Sequence, residues 1–218
     1  MDKILDLVEL SWKAYKYKVA NKLLSPETEK MMQLQFALLL QTLAPLYEYS
    51  EQESIKVIPE WAIELRRGVE RGSKSTRSID IVILYKNHTK VSHYPIELKC
   101  FRRSTRVKSG KRGAQNLGMY DYWDDIEKVE QYLEFKDFAA GFQLTLTDDR
   151  YYVETEHKGS QVSVFSTFKG RGIVSGVLEH HIANRPGRIT LKNVYDTSKW
   201  ERLYGFYFIR QDVFKRAA

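Results

Sequence analysis

Apolar residues recur at helical spacing from residue 2 to residue 20, where Ile4, Leu7, Val8 and Trp12 can share one face. A first helix is expected there. The next segment, SPETEK, offers Ser25 as a cap, Pro26 at a first helical position, and Glu27 and Glu29 near the positive end of a helix dipole. A second helix is expected from Pro26 to about Tyr47, kinked or ended by Pro45. Its apolar residues Met31, Met32, Phe36, Leu39, Leu40 and Leu43 are numerous enough to predict burial on more than one side. From Ser54 the texture becomes that of strands. SIKVIPEW, SIDIVILY and SHYPIELKCF read as three in succession, with KNHTK as the turn between the last two. Three consecutive strands predict a meander at the centre of a sheet. DYWDDIEKVEQYLEF returns to helical spacing through Tyr122, Ile126, Val129 and Leu133, with Asp121 to Asp125 at its N-terminal end. AAGFQLTLT then reads as a strand stopped by Asp148 and Asp149, and QVSVFSTF, RITLKNVY and LYGFYFI as further β segments.

The resulting order is helix, three strands, helix, strand, followed by a β-rich tail. With 218 residues, 43% of them apolar and 29% charged, the chain suits one α/β domain with a sizeable core. We expect a core over about 26–147 and a C-terminal β-rich extension over about 150–218. The longest apolar run near the start, Phe36 to Leu40, is too short to span a bilayer, and Asp2, Asp6 and Glu9 stand where a signal peptide would be basic. Cytoplasmic residence without a membrane partner is the expectation. Cys100 is the single cysteine, which excludes an internal disulfide and a multi-cysteine zinc site.

Net charge is +7, and its distribution says more than its sum. Residues 99–113, KCFRRSTRVKSGKRG, hold seven Lys or Arg and no acid; residues 66–77, RRGVERGSKSTR, hold five against one acid. Such clusters attract a phosphate backbone, although a solvated basic loop has the same composition.

The chemistry turns on charges inside two apolar strands: Asp80 in SIDIVILY, and Glu97 and Lys99 in SHYPIELKCF. A buried charge is costly unless paired or metal-bound. Chance alone gives roughly two or three acid-x-Lys matches in a chain of this composition. Three occur, but those at Glu134 and Glu156 lie in polar surroundings, and Glu97-Leu98-Lys99 alone lies in an apolar strand. Residues two apart on a strand project to one face, so Glu97 and Lys99 point together while Leu98 points away. With Asp80 on the preceding strand, two converging carboxylates form a hard-oxygen site suited to Mg²⁺ or Mn²⁺. The lysine could then orient a water and balance charge building on a phosphorus centre.

These residues resemble the PD-(D/E)XK nuclease superfamily, whose restriction-endonuclease-like core runs αβββαβ with a central mixed sheet flanked by helices. IDIVI and IELK fall on that family's second and third strands. The resemblance covers Glu27 to about Thr147. It implies Asp80 and Glu97 as metal ligands, a backbone carbonyl ligand from Leu98, Lys99 as the catalytic lysine, and a further acid from the first core helix. Glu29 is the candidate for that acid, with Gln33 one turn later as the alternative. No proline precedes Asp80, a departure from the motif's full form.

The two basic stretches flank this trio, one entering the Asp80 strand and one leaving at Lys99. Arg66, Arg67, Arg102, Arg103, Arg106, Lys108, Lys111 and Arg112 are therefore the candidate phosphate contacts, with Gln115 and Tyr120 as weaker helpers near the site. The five histidines lack metal-ligand spacing, and neither GxxxxGK[ST] nor GxSxG occurs. YGFYFI could stack bases, but its alternation suits a core strand better. The expectation is a Mg²⁺-dependent endonuclease, with Mn²⁺ able to substitute, that acts on DNA in restriction or defence, as a homodimer if it cuts both strands. The alternatives are an RNA-directed enzyme, a non-catalytic nucleic-acid-binding module, and a structural ion-pair cluster.

Overall fold

A computed structural model describes residues 2–65, 75–103, 115–158, 163–182 and 184–215. Helix α1, Lys3–Ala20, starts where the Asp2 carboxylate accepts the Ile4 N–H (2.9 Å), and it buries Ile4, Leu7, Val8 and Trp12 as their spacing predicts. Helix α2 spans Glu29–Leu43, three residues shorter at its start than expected. Thr28 rather than Ser25 caps it, accepting from Met31 N–H (3.2 Å), while Arg102 Nη1 donates to the Pro26 carbonyl (2.7 Å). At Pro45 the chain passes into a 3₁₀ turn, Ala44–Tyr47. Burial on several sides of α2 is not found. Met32, Gln33, Phe36, Ala37 and Leu40 face inward and Met31, Leu34 and Leu38 face water, because a helix laid on a sheet reaches it along one stripe only.

The sheet is mixed and six-stranded, in the order β1-β2-β3-β4-β8-β7. Its members are β1 (Glu53–Leu65), β2 (Ser75–Asn87), β3 (Lys90–Phe101), β4 (Ala140–Thr147), β7 (Glu201–Leu203) and β8 (Phe206–Phe214). The meander β1-β2-β3 makes one side of the sheet rather than its centre, with β1 at the edge. The middle belongs to β3 and β4, which run parallel from Ile96↔Phe142 to Phe101↔Thr147. Parallel neighbours need a crossover. Helix α3, Gln115–Tyr132, lies within it.

Two hydrophobic cores lie against the sheet. One packs α1 and α2 on Ile81, Ile83, Ile96, Leu98, Phe142 and Leu144; the other packs α3 and the C-terminal segments on Ile79, Val82, Ile209 and Val213. Gly141 of β4 lets α3 come close, since a Cβ there would meet Val129 Cγ1 at 2.4 Å. The C-terminal third adds the one-turn helix α4 (Arg150–Val153), capped by Asp149, and the two-stranded sheet of β5 (Ile173–Glu179) and β6 (Arg188–Asp196). Two expected β segments differ. The described part of QVSVFSTF forms a 3₁₀ turn, Ser163–Phe165, and LYGFYFI is broken by Tyr204 and Gly205, whose φ of 46° and 92° make the turn between β7 and β8. Beyond that turn Tyr207, Phe208 and Ile209 are core residues. No described helix is long and apolar enough to cross a membrane.

The two sides of α3 are tied down differently. Buried Glu130 accepts from Lys192 N–H and Asn193 N–H (both 2.7 Å) and from Tyr195 Oη (2.7 Å), fastening the β5–β6 sheet to α3. Glu130→Ala would leave the buried Tyr195 hydroxyl and two more accessible backbone N–H groups without this acceptor, so we expect a loss of about 2 kcal/mol in urea unfolding. A loss below about 0.5 kcal/mol, the range of an ordinary surface change, would contradict this role.

Candidate active site

The site begins where two strands part. β2 and β3 pair from Asn87↔Lys90 up to Ile81↔Ile96, and there their pairing ends. β2 stays with β1 as far as Leu65↔Ser75, and β3 goes on with β4 to Phe101↔Thr147. One step past the last β2–β3 pair, the register sets Asp80 opposite Glu97. In place of a ladder bond, Leu98 N–H donates to Asp80 Oδ2 (2.8 Å). The Asp80 and Glu97 carboxyls lie close enough to act on each other's protonation, Asp80 raising the pKa of Glu97. Two bare carboxylates so placed repel, and a proton on one of them or a cation between them relieves the repulsion.

Neighbouring elements complete the cluster. From α3, Tyr132 Oη donates to Glu97 Oε1 (2.9 Å), and Asp125, 1% exposed, approaches Lys99 Nζ at 2.8 Å. From α2, Glu29 approaches the same ammonium at 3.3 Å, and Gln33 Nε2 donates to the Asp80 carbonyl (2.5 Å) and to Glu60 Oε1 (2.8 Å). Glu60 has a left-handed backbone, φ 54°, and its carboxylate also accepts from Ser78 Oγ (2.8 Å) and Lys30. Three donors hold it ionised, with a pKa lowered to about 2, chiefly by Lys30. Lys128 adds a second cation on Asp125 at 2.7 Å and reaches Asp124 at 2.8 Å. Charges thus alternate along Glu29, Lys99, Asp125, Lys128 and Asp124.

Burial and neighbouring acids push three carboxyls above their ordinary range. Glu97 is raised well above it by burial, then by Asp125 and Asp80. Asp80 is raised by burial and Asp125, against the opposing Leu98 N–H. Glu29 is raised mainly by burial, with Lys99 opposing. Burial works against the charged form of Lys99, but Asp125 and Glu29 outweigh it and hold its pKa above that of an ordinary lysine. Lys99 is therefore a fixed cation at neutral pH.

The structure brings Asp80, Glu97, Lys99 and Glu29 together. Leu98 turns its side chain into the α1–α2 core, and its N–H fastens Asp80. Gln33 reaches the Asp80 backbone, whereas Glu29 is turned to Lys99. Asp125 and Tyr132 were missed as site residues by sequence reasoning, since their helix was read for its apolar stripe and its acidic N-terminal end. An acid on the buried face of that helix was the available signal. Among the described residues, no group of three or more His, Cys, Asp or Glu side chains is arranged to hold a metal ion. The available donor set is the carboxyls of Asp80 and Glu97. That set suits one hard divalent cation.

The candidate phosphate contacts divide. Arg102 is buried: its Nε donates to Asp148 Oδ2 (3.1 Å), its Nη1 to the Pro26 carbonyl (2.7 Å), and its guanidinium stacks over Phe206. It joins the end of β3 to the approach to α2, a different place from the solvent-facing position expected. Arg103 is exposed, with its N–H donating to Asp148 Oδ1 (2.6 Å). Arg66, Arg67, Arg106, Lys108, Lys111 and Arg112 lie outside the described residues. Gln115 donates to Asp149 (2.8 Å) and Tyr120 to the Arg188 carbonyl (3.4 Å), so both serve contacts of the C-terminal segments. No family model matches the chain, and no curated protein or solved structure matches it either.

A carboxyl whose folded-state pKa is raised stabilises the fold below its unfolded pKa and loses that contribution as pH rises through the folded value. Glu97 does this most strongly. Glu97→Gln keeps an acceptor for Tyr132 and removes the charge, so at pH 7 without added metal the variant should melt higher than wild type. That gap should close as pH falls towards about 4, where wild-type Glu97 is itself protonated. Mg²⁺ should raise the melting temperature of wild type and not of the variant. A less stable variant, with Mg²⁺ indifferent to both, would contradict the charge assignment.

Proposed function

We propose that this chain is a divalent-metal-dependent phosphodiesterase acting on nucleic acid, on a restriction-endonuclease-like core of the PD-(D/E)XK type, with DNA as the favoured substrate. The observation that carries the reading is the carboxyl pair of Asp80 and Glu97 at the parting of β2 and β3, with Lys99 on the same strand two residues on. The element order from α2 through β1, β2, β3 and α3 to β4 supports the choice of core. Asp80 and Glu97, with the Leu98 carbonyl, would hold one Mg²⁺ or Mn²⁺. When bound, that cation supplies Lewis acidity towards a phosphoryl oxygen and lowers the pKa of water.

The remaining roles belong to the chain's own groups. A water oxygen adds to phosphorus as the P–O ester bond breaks; the water's proton passes to solvent, the leaving oxygen takes one from solvent, and negative charge builds on the phosphoryl oxygens in between. Lys99, kept protonated by Asp125 and Glu29, balances that charge as a fixed cation and does not act as the base. Asp125 sets where the ammonium stands, and Tyr132 orients Glu97. Gln33 holds the Asp80 backbone in place. β2 begins and β3 ends at the same end of the sheet, and in the sequence a basic stretch precedes the one and follows the other, which favours a polyanionic substrate.

One observation favours a second reading, a nucleic-acid-binding module without catalysis: Lys99 already has Asp125 and Glu29 as partners within the chain. Cleavage assays separate the two readings. Plasmid, single-stranded DNA and RNA are incubated with Mg²⁺ or Mn²⁺, and wild type is compared with Asp80→Ala and Lys99→Ala. Losses of about 100-fold or more in both variants are expected, the scale for removing a group that stabilises transition-state charge. Cutting retained by both variants would sink the site assignment. Salt-sensitive binding with no cutting by wild type would favour the binding module.

Asp125→Asn tests the positioning role. It should lower kcat by about 10-fold or more while KM changes little, with partial recovery in Asp125→Glu, because the lost interaction acts on the lysine and not on substrate affinity. Equal and parallel changes in KM would instead assign Asp125 to binding.

A further inference from the structure

Asp80 stands at an interruption on both of its sides. Towards β3, pairing ends one step before it, at Ile81↔Ile96. Towards β1, the strands pair residue for residue from Glu53↔Asn87 to Leu65↔Ser75, except where Glu60 stands opposite Asp80. Glu60 has its left-handed φ of 54° there, a conformation that costs an L-residue free energy and that glycine would adopt freely. Such strain persists where surrounding contacts over-determine it, often beside working groups. Here the contacts are specific. The Glu60 carboxylate accepts from Gln33 Nε2 (2.8 Å), from Ser78 Oγ (2.8 Å) and from Lys30. An irregular edge strand also discourages pairing between chains, but that use asks nothing of the side chain.

We propose that Glu60 is a positioning residue for Asp80 and that it acts through Gln33. Gln33 is 4% exposed, and its amide nitrogen has two hydrogens to place. One goes to the Asp80 carbonyl (2.5 Å) and the other to Glu60. An ionised carboxylate can only accept, so Glu60 keeps the nitrogen end of the amide turned to Asp80; reversed, the amide oxygen would meet two acceptors. The helix thereby holds the Asp80 main chain at the position where the ladder is interrupted. Leu98 N–H holds the side chain of the same residue (2.8 Å), so the two contacts together fix where the carboxylate stands. Lys30 offsets the charge that Glu60 adds beside the other acids, and Ser78, two residues before Asp80 on β2, anchors its second oxygen.

Two consequences follow at different levels. Loss of the Glu60 carboxylate loosens Gln33, then Asp80, then the Leu98 N–H contact, whatever the site does. Its effect on rate rests on the phosphodiesterase reading, in which Asp80 is a cation ligand, and groups that orient such ligands are worth about 10-fold to 100-fold in activity.

Amide hydrogen exchange by NMR and cleavage kinetics, both on the full chain, test the two levels separately. The Glu60 side chain is 46% exposed on an edge strand, so Glu60→Ala and Glu60→Gln should keep the wild-type circular dichroism. In Glu60→Ala the Leu98 amide should exchange about tenfold faster, while Leu144 and Leu146 of β4 keep their wild-type rates. Glu60→Gln, which retains an acceptor oxygen, should recover part of the difference. Gln33→Met should reproduce the effect, and adding Glu60→Ala to it should change Leu98 no further, because both act along one path. In the same variants kcat should fall about 10-fold or more with KM little changed. An unchanged Leu98 amide in folded Glu60→Ala, a uniform acceleration of all amides, or additive effects of the two substitutions would overturn the proposal. Expected exchange behaviour in a chain that cuts no nucleic acid would uphold the positioning and count against the phosphodiesterase reading alone.

Discussion

Two carboxyl groups, those of Asp80 and Glu97, repel each other at the point where β2 leaves β3, and much of the surrounding structure follows from the need to hold them there. Asp80 would ordinarily sit within a continuous ladder. Because β3 transfers its pairing to β4 and β2 keeps its own to β1, a gap opens at that register position, and Leu98 N–H donates to the Asp80 side chain. Putting two acids in that gap costs desolvation and repulsion. The cost is visible in the raised pKa values of Asp80, Glu97 and Glu29. A fold that retained this arrangement only for stability could offset it better with apolar residues, which is the physical reason to read it as a working site.

Helices on both sides of the sheet keep the pair in place. α3 brings Asp125 and Tyr132, and its approach depends on the missing side chain at Gly141 and on Glu130 at its far side. α2 brings Gln33 to the Asp80 carbonyl and Glu29 to the ammonium. Lys99 therefore lies between acids from α2 and α3, fixed in position and in charge. This is the arrangement expected of a group that stabilises developing negative charge, and it leaves proton abstraction to the water's own environment.

Much of this was legible in the sequence because it depends on local pattern. The two-residue spacing of Glu97 and Lys99, and Asp80 on the strand before, were enough to bring these groups together, since a hairpin with the turn at His88 and Thr89 fixes the register between those strands. Partnerships set by packing were not legible. In DYWDDIEKVEQYLEF Asp125 shares the helical spacing of Tyr122 and Val129, which sets it apart from Asp124, but that Lys99 is its partner shows only once the helix has been laid on the sheet. Arg102 looked like its basic neighbours in a charged stretch, yet it turns inward because Asp148 and the Pro26 carbonyl meet it there. The place of the meander was also misjudged, because the pairing of β4 with β8 depends on a segment more than 50 residues away in the chain. The outward row on α2 has the same origin: composition suggested burial on several sides, and only the packing shows that one face is left open.

The central claim is that the Asp80 and Glu97 pair is a cation site. Anomalous diffraction from crystals equilibrated with Mn²⁺ tests it most directly, because manganese can be located independently of any activity. The expected result is a single strong peak between the two carboxyls, within about 2.5 Å of oxygen atoms from both, and its loss in Glu97→Gln. A map with no peak there at saturating Mn²⁺ would contradict the account.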